Sequence, residues 1–543
     1  MPARRCALYC GTESWNDVSH LGEPAERFIL PVRRIPLCGT EGGQAGVFMK
    51  MKALISFLVI HLSIVLLSCS TSHTIDRQIT STQREANIAQ LQSAIDAILE
   101  DTLLALCFIG VKIVSLDDDQ VLYAKNSNKL FHPASNMKLL TSATALNLLD
   151  KGFQFRTSVY ADPEIDHGVL KGNVYIKGSG DPLLITNDLD SLARSIASYG
   201  INTIAGDLVG DVSYFDTLYW GSGWMWDDEP EPYEAFISPL TVNSNAIQVS
   251  VVPGKKIGNT VDVFLNPSIQ SFTINNQGIT SLDTLMPELT VTRIRGENTI
   301  TVRGRVPPKS DTVKSILSVW KPELYFLELF KQKLIEHGIT VKGGIRLGST
   351  EGLQFLGSIS HPLDSVLHQI NKPSDNLAAE NTLKTIAAEL QGSPGTAAMG
   401  LSIMKEYLTR IGIDTAKMIL ADGSGVSFYN AISPDAIIQL LQEQYWNKHT
   451  FQRFLESLPI AGIDGTLNNR MKDARTAGNV RAKTGTITGV STLSGYAWTA
   501  DAKPLAFNIM CNHFPSQIMH LRNMQDTIMA LLVNLRLEEK EGF

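Results

Sequence analysis

Pro133-Ala134-Ser135-Asn136-Met137-Lys138-Leu139-Leu140 sets a serine and a lysine three positions apart at the head of an apolar pattern. Leu139, Leu140, Ala143, Leu146 and Leu149 continue it at helical spacing, so Ser135 to Leu149 reads as a helix. Positions i and i+3 share a helical face, which lets the Ser135 hydroxyl meet the Lys138 amine. A serine becomes a nucleophile beside a base, and a lysine serves once burial and a second cation lower its pKa. The helix N-terminus offers free N–H groups to a developing oxyanion. By themselves the same residues also fit a serine that caps a helix.

Two segments further along share that ambiguity. Ser374-Asp375-Asn376 follows Pro373 and opens a helical run, where all three residue types are good caps. Lys483-Thr484-Gly485-Thr486 lies at a strand end within Arg481–Thr488, where an edge lysine needs no function. Gly485 bears on function because a strand without a Cβ lets a substrate backbone come close. The ordered set is specific where each member is weak. Ser-x-x-Lys, Ser-Asp-Asn and Lys-Thr-Gly, on helix start, pre-helix loop and strand, form the signature of penicillin-binding proteins and class A β-lactamases.

Spacing narrows the resemblance. Ser374 to Lys483 is 109 residues, about the need of a bare β-lactamase-like domain, whereas Ser135 to Ser374 is 239. A large insertion between the first two motifs resembles the class C low-molecular-mass penicillin-binding proteins. These are the D-alanyl-D-alanine carboxypeptidase/endopeptidase family of penicillin-binding protein 4 type. Gly178-Ser179-Gly180-Asp181-Pro182, Gly206-Asp207, Asp422-Gly423-Ser424-Gly425 and Gly462-Ile463-Asp464-Gly465-Thr466 fit it as well, across about residues 84–535.

The resemblance implies an α/β fold, a serine β-lactamase/DD-peptidase-like domain with an antiparallel sheet flanked by helices, interrupted by a mostly β insert. It implies Ser135 as the acylated nucleophile and Lys138 as its base. Ser374 and Asn376 complete the proton-relay and substrate hydrogen-bond network, with Ser374 a candidate donor to the leaving group. Lys483 with Thr484 or Thr486 holds the terminal carboxylate, Gly485 lies between them, and the N–H groups of Ser135 and Thr486 form the oxyanion hole. The family's insert also supplies an acid for the ammonium of a diamino acid. Trp224-Met225-Trp226-Asp227-Asp228 with Tyr233 fits that element, Asp228 first and Asp227 second. Substrates would be peptidoglycan stem peptides and cross-links, with β-lactams as covalent inhibitors. A β-lactamase or esterase of the same superfamily, and a non-catalytic wall-binding protein, are the rival readings.

Composition divides the rest of the chain. Of 543 residues, 44% are hydrophobic and 19% charged, which describes a folded protein large enough for several domains. A net charge of -7 argues against a nucleic-acid partner. No His-Glu-x-x-His, Cys-x-x-Cys or Gly-x-x-x-x-Gly-Lys stretch occurs, so neither a metal nor another cofactor is expected. No Gly-x-Ser-x-Gly elbow occurs either, and His132 is expected to be a loop histidine, not a triad base.

Residues 49–69 carry a short basic region, an apolar run from Ala53 to Leu67 and Leu66-Leu67-Ser68-Cys69. This describes a secretory signal with a lipobox-like end, Cys69 becoming the lipidated first residue of an exported, periplasmic, membrane-anchored protein. Residues 1–48 precede that complete signal and are expected to be a non-native extension, with translation starting at Met49 or Met51. Residues 70–83 are a Ser/Thr-rich tether. The peptidase domain is expected at 84–150 and 362–543, and a β-rich insert with a nested subdomain at 151–361. Cys107 and Cys511, the cysteines of the expected mature body, read as one disulfide or two separate thiols.

Overall fold

The computed structural model describes residues 82–515 and 518–538. Residues 1–48, the signal at 49–69 with Cys69, and the tether up to residue 81 lie outside them. Among the described residues no helix is long and apolar enough to cross a membrane.

Five antiparallel strands form the central sheet, in the order Val480–Ile487, Val490–Trp498, Pro504–Asn512, Phe108–Ser115, Val121–Lys125. Segments far apart in sequence therefore share one sheet, which joins the two halves of the expected peptidase domain. Alternation within Pro504–Asn512 shows why it reads as one apolar run. Leu505, Phe507, Ile509 and Cys511 face one core while Ala506 and Met510 face another. The first core is closed by Ile88, Leu91 and Ile95 of the helix at 82–99 and by Leu521, Ile528 and Leu532 of Ile518–Asn534. The second lies under Met137–Leu148, Leu363–Asn371, Asn376–Gln391 and Pro434–Trp446. Helices thus cover both faces of an antiparallel sheet. Cys107 and Cys511 are free thiols.

Between Leu148 and Leu363 the chain is mostly β. Ile345–Leu347, Leu208–Asp211, Val174–Gly178, Gln154–Ala161 and Gln354–Pro362 make a mixed five-stranded sheet. Two three-stranded sheets are nested within it in sequence, one centred on Ala246–Val252 and one on Thr299–Val306. Helices Leu189–Ser198 and Pro322–Glu336 share a separate core with these strands.

Asn376–Gln391 joins this region to the rest. Ala378, Ala379, Leu383 and Ile386 pack into the helical core, and Leu377 and Ala388 meet Tyr214, Phe215 and Trp224 on the other side. Asn381 Nδ2 donates to the Gly180 carbonyl at 3.0 Å, and Lys384 Nζ donates to Asp216 Oδ1 at 2.5 Å.

Candidate active site

Ser135 sits in a single 3-10 turn, Ala134–Asn136, and the α-helix begins at Met137. Ala134 is held at φ 44°, a strained value for a residue with a side chain. Its surroundings impose it. The Ala134 N–H donates to His132 Nδ1 at 3.0 Å, and His132 Nε2 lies 2.8 Å from the Ser427 carbonyl. With Nδ1 accepting, Nε2 carries the hydrogen, so both ring nitrogens of His132 serve the turn. Thr492 Oγ1 donates to the Pro133 carbonyl at 2.9 Å. Two glycines let this turn seat. A Cβ on Gly425, itself at φ +87°, would lie 1.8 Å from the Ala134 carbonyl oxygen, and one on Gly485 would lie 2.2 Å from Thr492 Oγ1 and 2.9 Å from the Pro133 oxygen. Gly485 therefore admits the backbone of the turn that carries Ser135, a different demand from the substrate approach expected of it.

Lys138 is fully buried, and Nζ donates to Ser135 Oγ at 3.0 Å, Asn376 Oδ1 at 2.5 Å and the Ser424 carbonyl at 2.7 Å. Burial lowers its pKa to about 8, against the opposing pull of Asp422, Glu380 and Asp375. The Ser424 carbonyl is positioned by a loop wound on two acids. Glu380 Oε1 accepts from the N–H groups of Gly423 and Ser424 at 2.9 and 2.8 Å. Asp422 accepts from Gly425 N, Ser427 N, Asn430 Nδ2 and Trp224 Nε1 at 2.6–3.0 Å. Burial, then Asp422, pushes Glu380 up to about 8. Glu380 and the Ser424 carbonyl were missed in the sequence. Glu380 stands one helical turn after Asn376, and Asp422-Gly423-Ser424-Gly425 had been singled out without a role.

The second motif divides its labour. Asp375 is a cap, Oδ1 accepting from Ala378 N at 2.9 Å, while Asn376 turns to Lys138. Ser374, at φ 70°, accepts at Oγ from the fully buried Lys483 Nζ at 2.8 Å. Burial, and then the charge on Lys138, hold the Lys483 pKa well below the usual lysine range. Val480–Ile487 is the edge strand of the sheet. The Ala482 N–H donates outward to the Pro459 carbonyl. By the two-residue period the Thr484 and Thr486 backbones point the same way; the Thr484 carbonyl accepts from Lys483 Nζ at 2.8 Å, and among the described residues no further strand pairs along this edge. Thr484 Oγ1 donates to Thr466 Oγ1 at 2.7 Å.

Ser135 opens onto two cavities. One, of about 490 Å³, is walled by Asn376, Thr486 and, from the insert, Asp228, Tyr233 and Glu234. Asn376 Nδ2 donates to the Tyr233 carbonyl at 2.7 Å, so one asparagine fixes both lysine and insert. The Tyr233 phenol is hydrogen-bonded to Asp228, and its pKa is raised by burial and by that carboxylate. Glu234 is buried, with no partner for Oε2 among the described residues, and burial and then Asp228 push it up to about 8. The other cavity, of about 630 Å³, is walled by Ser374, Thr484 and Thr486 and by the helix Ile518–Asn534. Ser135, Ser374, Asn376, Thr484, Thr486 and Asp228 thus border these cavities, Lys138 and Lys483 are buried and hydrogen-bonded to Ser135 and Ser374, and Gly485 packs against the Ser135 turn.

A serine at a helix start, two buried lysines and an open sheet edge define the serine β-lactamase/DD-peptidase fold. Comparison with known proteins narrows the class. The D-Ala-D-Ala carboxypeptidase 3 (S13) family matches over residues 91–535. The chain belongs to that family and is a serine-type D-Ala-D-Ala carboxypeptidase, a peptidase with the penicillin-binding fold. It is 36% identical over 443 residues to the D-alanyl-D-alanine carboxypeptidase of Actinomadura sp. (strain R39), covering 79% of this chain and 82% of that one. It is 28% identical over 405 residues to D-alanyl-D-alanine carboxypeptidase DacB of Haemophilus influenzae, covering 74% and 84%. The crystal structure of penicillin binding protein 4 from Haemophilus influenzae superposes with a TM-score of 0.74 at 25% identity, over 81% of this chain and 99% of that one. The same protein complexed with a novel β-lactam gives a TM-score of 0.69. These findings favour the peptidase over the β-lactamase, esterase and non-catalytic readings.

Proposed function

We propose that Ser135 is the residue acylated during hydrolysis of D-Ala-D-Ala peptides and of stem-peptide cross-links, with Lys138 as its base. The Lys138 amine 3.0 Å from Ser135 Oγ carries this reading. A substrate lying along Lys483–Ile487 has its terminal carboxylate near Lys483 and the Thr484 or Thr486 hydroxyl. The arriving negative charge favours protonated Lys483. Ser135 Oγ bonds to the carbonyl carbon of the penultimate D-alanine as Lys138 takes the proton. The N–H groups of Ser135 and Thr486 stabilise the oxyanion. The C–N bond then breaks, with the proton reaching the departing amine through Ser374, and water hydrolyses the ester. A β-lactam follows the same first step, but its leaving nitrogen stays tethered, so the ester persists and the drug inhibits.

The Asp228 carboxylate, on the insert side of Ser135, is assigned to the ammonium of the stem's diamino acid. Export and a lipid anchor on Cys69 place the enzyme in the periplasm on a membrane surface. One labelling experiment tests both ends of this reading. A fluorescent penicillin should label membrane-bound enzyme at Ser135. Ser135→Ala should abolish the label, and Cys69→Ala should leave it on a protein no longer held by the membrane. A label that survives Ser135→Ala, or maps to Ser424, refutes the assignment.

A further inference from the structure

The two cavities beside Ser135 differ in what borders them, and the difference assigns their roles. Ser374 and Thr484 line the larger one and not the smaller. In the proposed reaction these side chains face the departing amine and its carboxylate, so the larger cavity receives the leaving group. A terminal D-alanine, with one methyl and one carboxylate, occupies little of about 630 Å³. Two arginines of unlike condition line this cavity. Arg470 is committed, with Nη2 donating to Asp526 Oδ1 at 2.6 Å, Gln525 Oε1 at 3.0 Å and the Arg522 carbonyl at 3.3 Å. Arg522, one turn before Asp526, has no side-chain hydrogen bond or ion pair among the described residues. Yet burial and the charge of Arg470 bear on its guanidinium, with Asp526 only partly offsetting them. A half-buried, unpaired guanidinium is costly unless an anion completes it. The amides of Asn468, Asn469 and Asn523 line the same cavity.

We propose that Arg522 is a carboxylate-binding subsite for the leaving strand, so that the cleft recognises acidic peptides extending beyond the scissile bond, as the acceptor stem of a cross-link does. This rests on the assignment of Ser135 and Ser374 above. A guanidinium matches a carboxylate through two parallel N–H donors, and the neighbouring amides serve the peptide backbone around it. The anion it binds is distinct from the carboxylate next to the scissile bond, which belongs to Lys483 and the Thr484 or Thr486 hydroxyl.

The test compares hydrolysis of two cross-linked stem-peptide dimers by the whole enzyme. In one, the leaving strand's carboxylates are free; in the other, all but the one adjoining the scissile bond are amidated. Wild type should cleave the free-acid dimer with kcat/KM about tenfold to a hundredfold higher. Arg522→Gln should erase that preference and Arg522→Lys should keep part of it. A preference that survives Arg522→Gln, or equal losses on both dimers, overturns the subsite. So does a wild type that releases D-alanine from a pentapeptide but cleaves neither dimer, an outcome that leaves the peptidase assignment intact. Failure on every peptide, with no penicillin on Ser135, removes that assignment and this one together.

Discussion

Two of the three atoms around Lys138 Nζ, Asn376 Oδ1 and the Ser424 carbonyl, only accept hydrogen bonds, whereas the third, Ser135 Oγ, can also donate. A neutral amine has two N–H bonds and one lone pair. The two carbonyls take the hydrogens, so the lone pair is left facing the serine proton. Asn376 and the Ser424 carbonyl thereby orient the Lys138 amine toward Ser135. Ammonium has no such lone pair, which fixes the sign of the pH dependence. With the Lys138 pKa lowered to about 8 by burial, penicillin acylation should rise about tenfold per pH unit below that value and level off above it. Lys138→Arg, always protonated, should lower the rate constant about 10²–10⁴-fold while the melting temperature shows a folded protein. A profile flat from pH 6 to 9, or rapid acylation in the arginine variant, would show that another group takes the proton.

At the scale of elements, the sequence disclosed what each motif stands on and little of what stands behind it. Ser135 and Asn376 were legible because each lies where a helix begins and its periodicity changes, and Lys483 because its motif read as a strand end. Strand Val480–Ile487 nevertheless runs past Lys483, since Thr484, Gly485 and Thr486 extend the ladder to Ser491. Thr273–Thr280, reading Thr-Ile-Asn-Asn-Gln-Gly-Ile-Thr, escaped notice because its sheet leaves most of it exposed, and alternation fades without a buried face. Leu363–Asn371 escaped because it is nine residues long and follows directly on a strand. The loop from Asp422 to Asn430 has no period at all; its shape comes from Glu380 and from Asp422 gathering its N–H groups. Gly425 is the point where that loop presses on the Ser135 turn. Gly425→Ala puts a side chain at a positive φ, costing about 1–3 kcal/mol, and drives its Cβ into the Ala134 carbonyl. It should lower the melting temperature and slow acylation together. Unchanged acylation would mean that the turn holds its shape without the loop.

On the scale of the whole molecule, the smaller cavity beside Ser135 is built by two parts of the chain with separate cores. Ser135 and Lys138 belong to the sheet-and-helix part, whereas Asp228, Tyr233 and Glu234 come from the insert and reach the site across helix Asn376–Gln391. Trp226 is pinned beneath the Arg295 guanidinium at 4.4 Å, and Arg295 Nη2 donates to the Asp227 carbonyl. That anchoring turns Asp228, and not Asp227, into the cavity. Behind it, Glu234 is pushed up to about 8 by burial and by Asp228, so near pH 7 it is protonated and Asp228 supplies the cavity's charge. An ammonium docking there gains a charge-assisted hydrogen bond of about 1.5–3 kcal/mol, roughly tenfold to a hundredfold in kcat/KM. Asp228→Asn should therefore slow cleavage of a stem peptide with a free side-chain amine by that factor. The same peptide with its amine acetylated should be cleaved by mutant and wild type alike, and a simple penicillin should acylate both at the same rate. Equal losses on the free and acetylated peptides would give Asp228 a purely structural role through the Tyr233 phenol. No loss on either would move ammonium recognition away from Asp228, and the Glu234 carboxyl, with its unpartnered oxygen, would be the next to substitute.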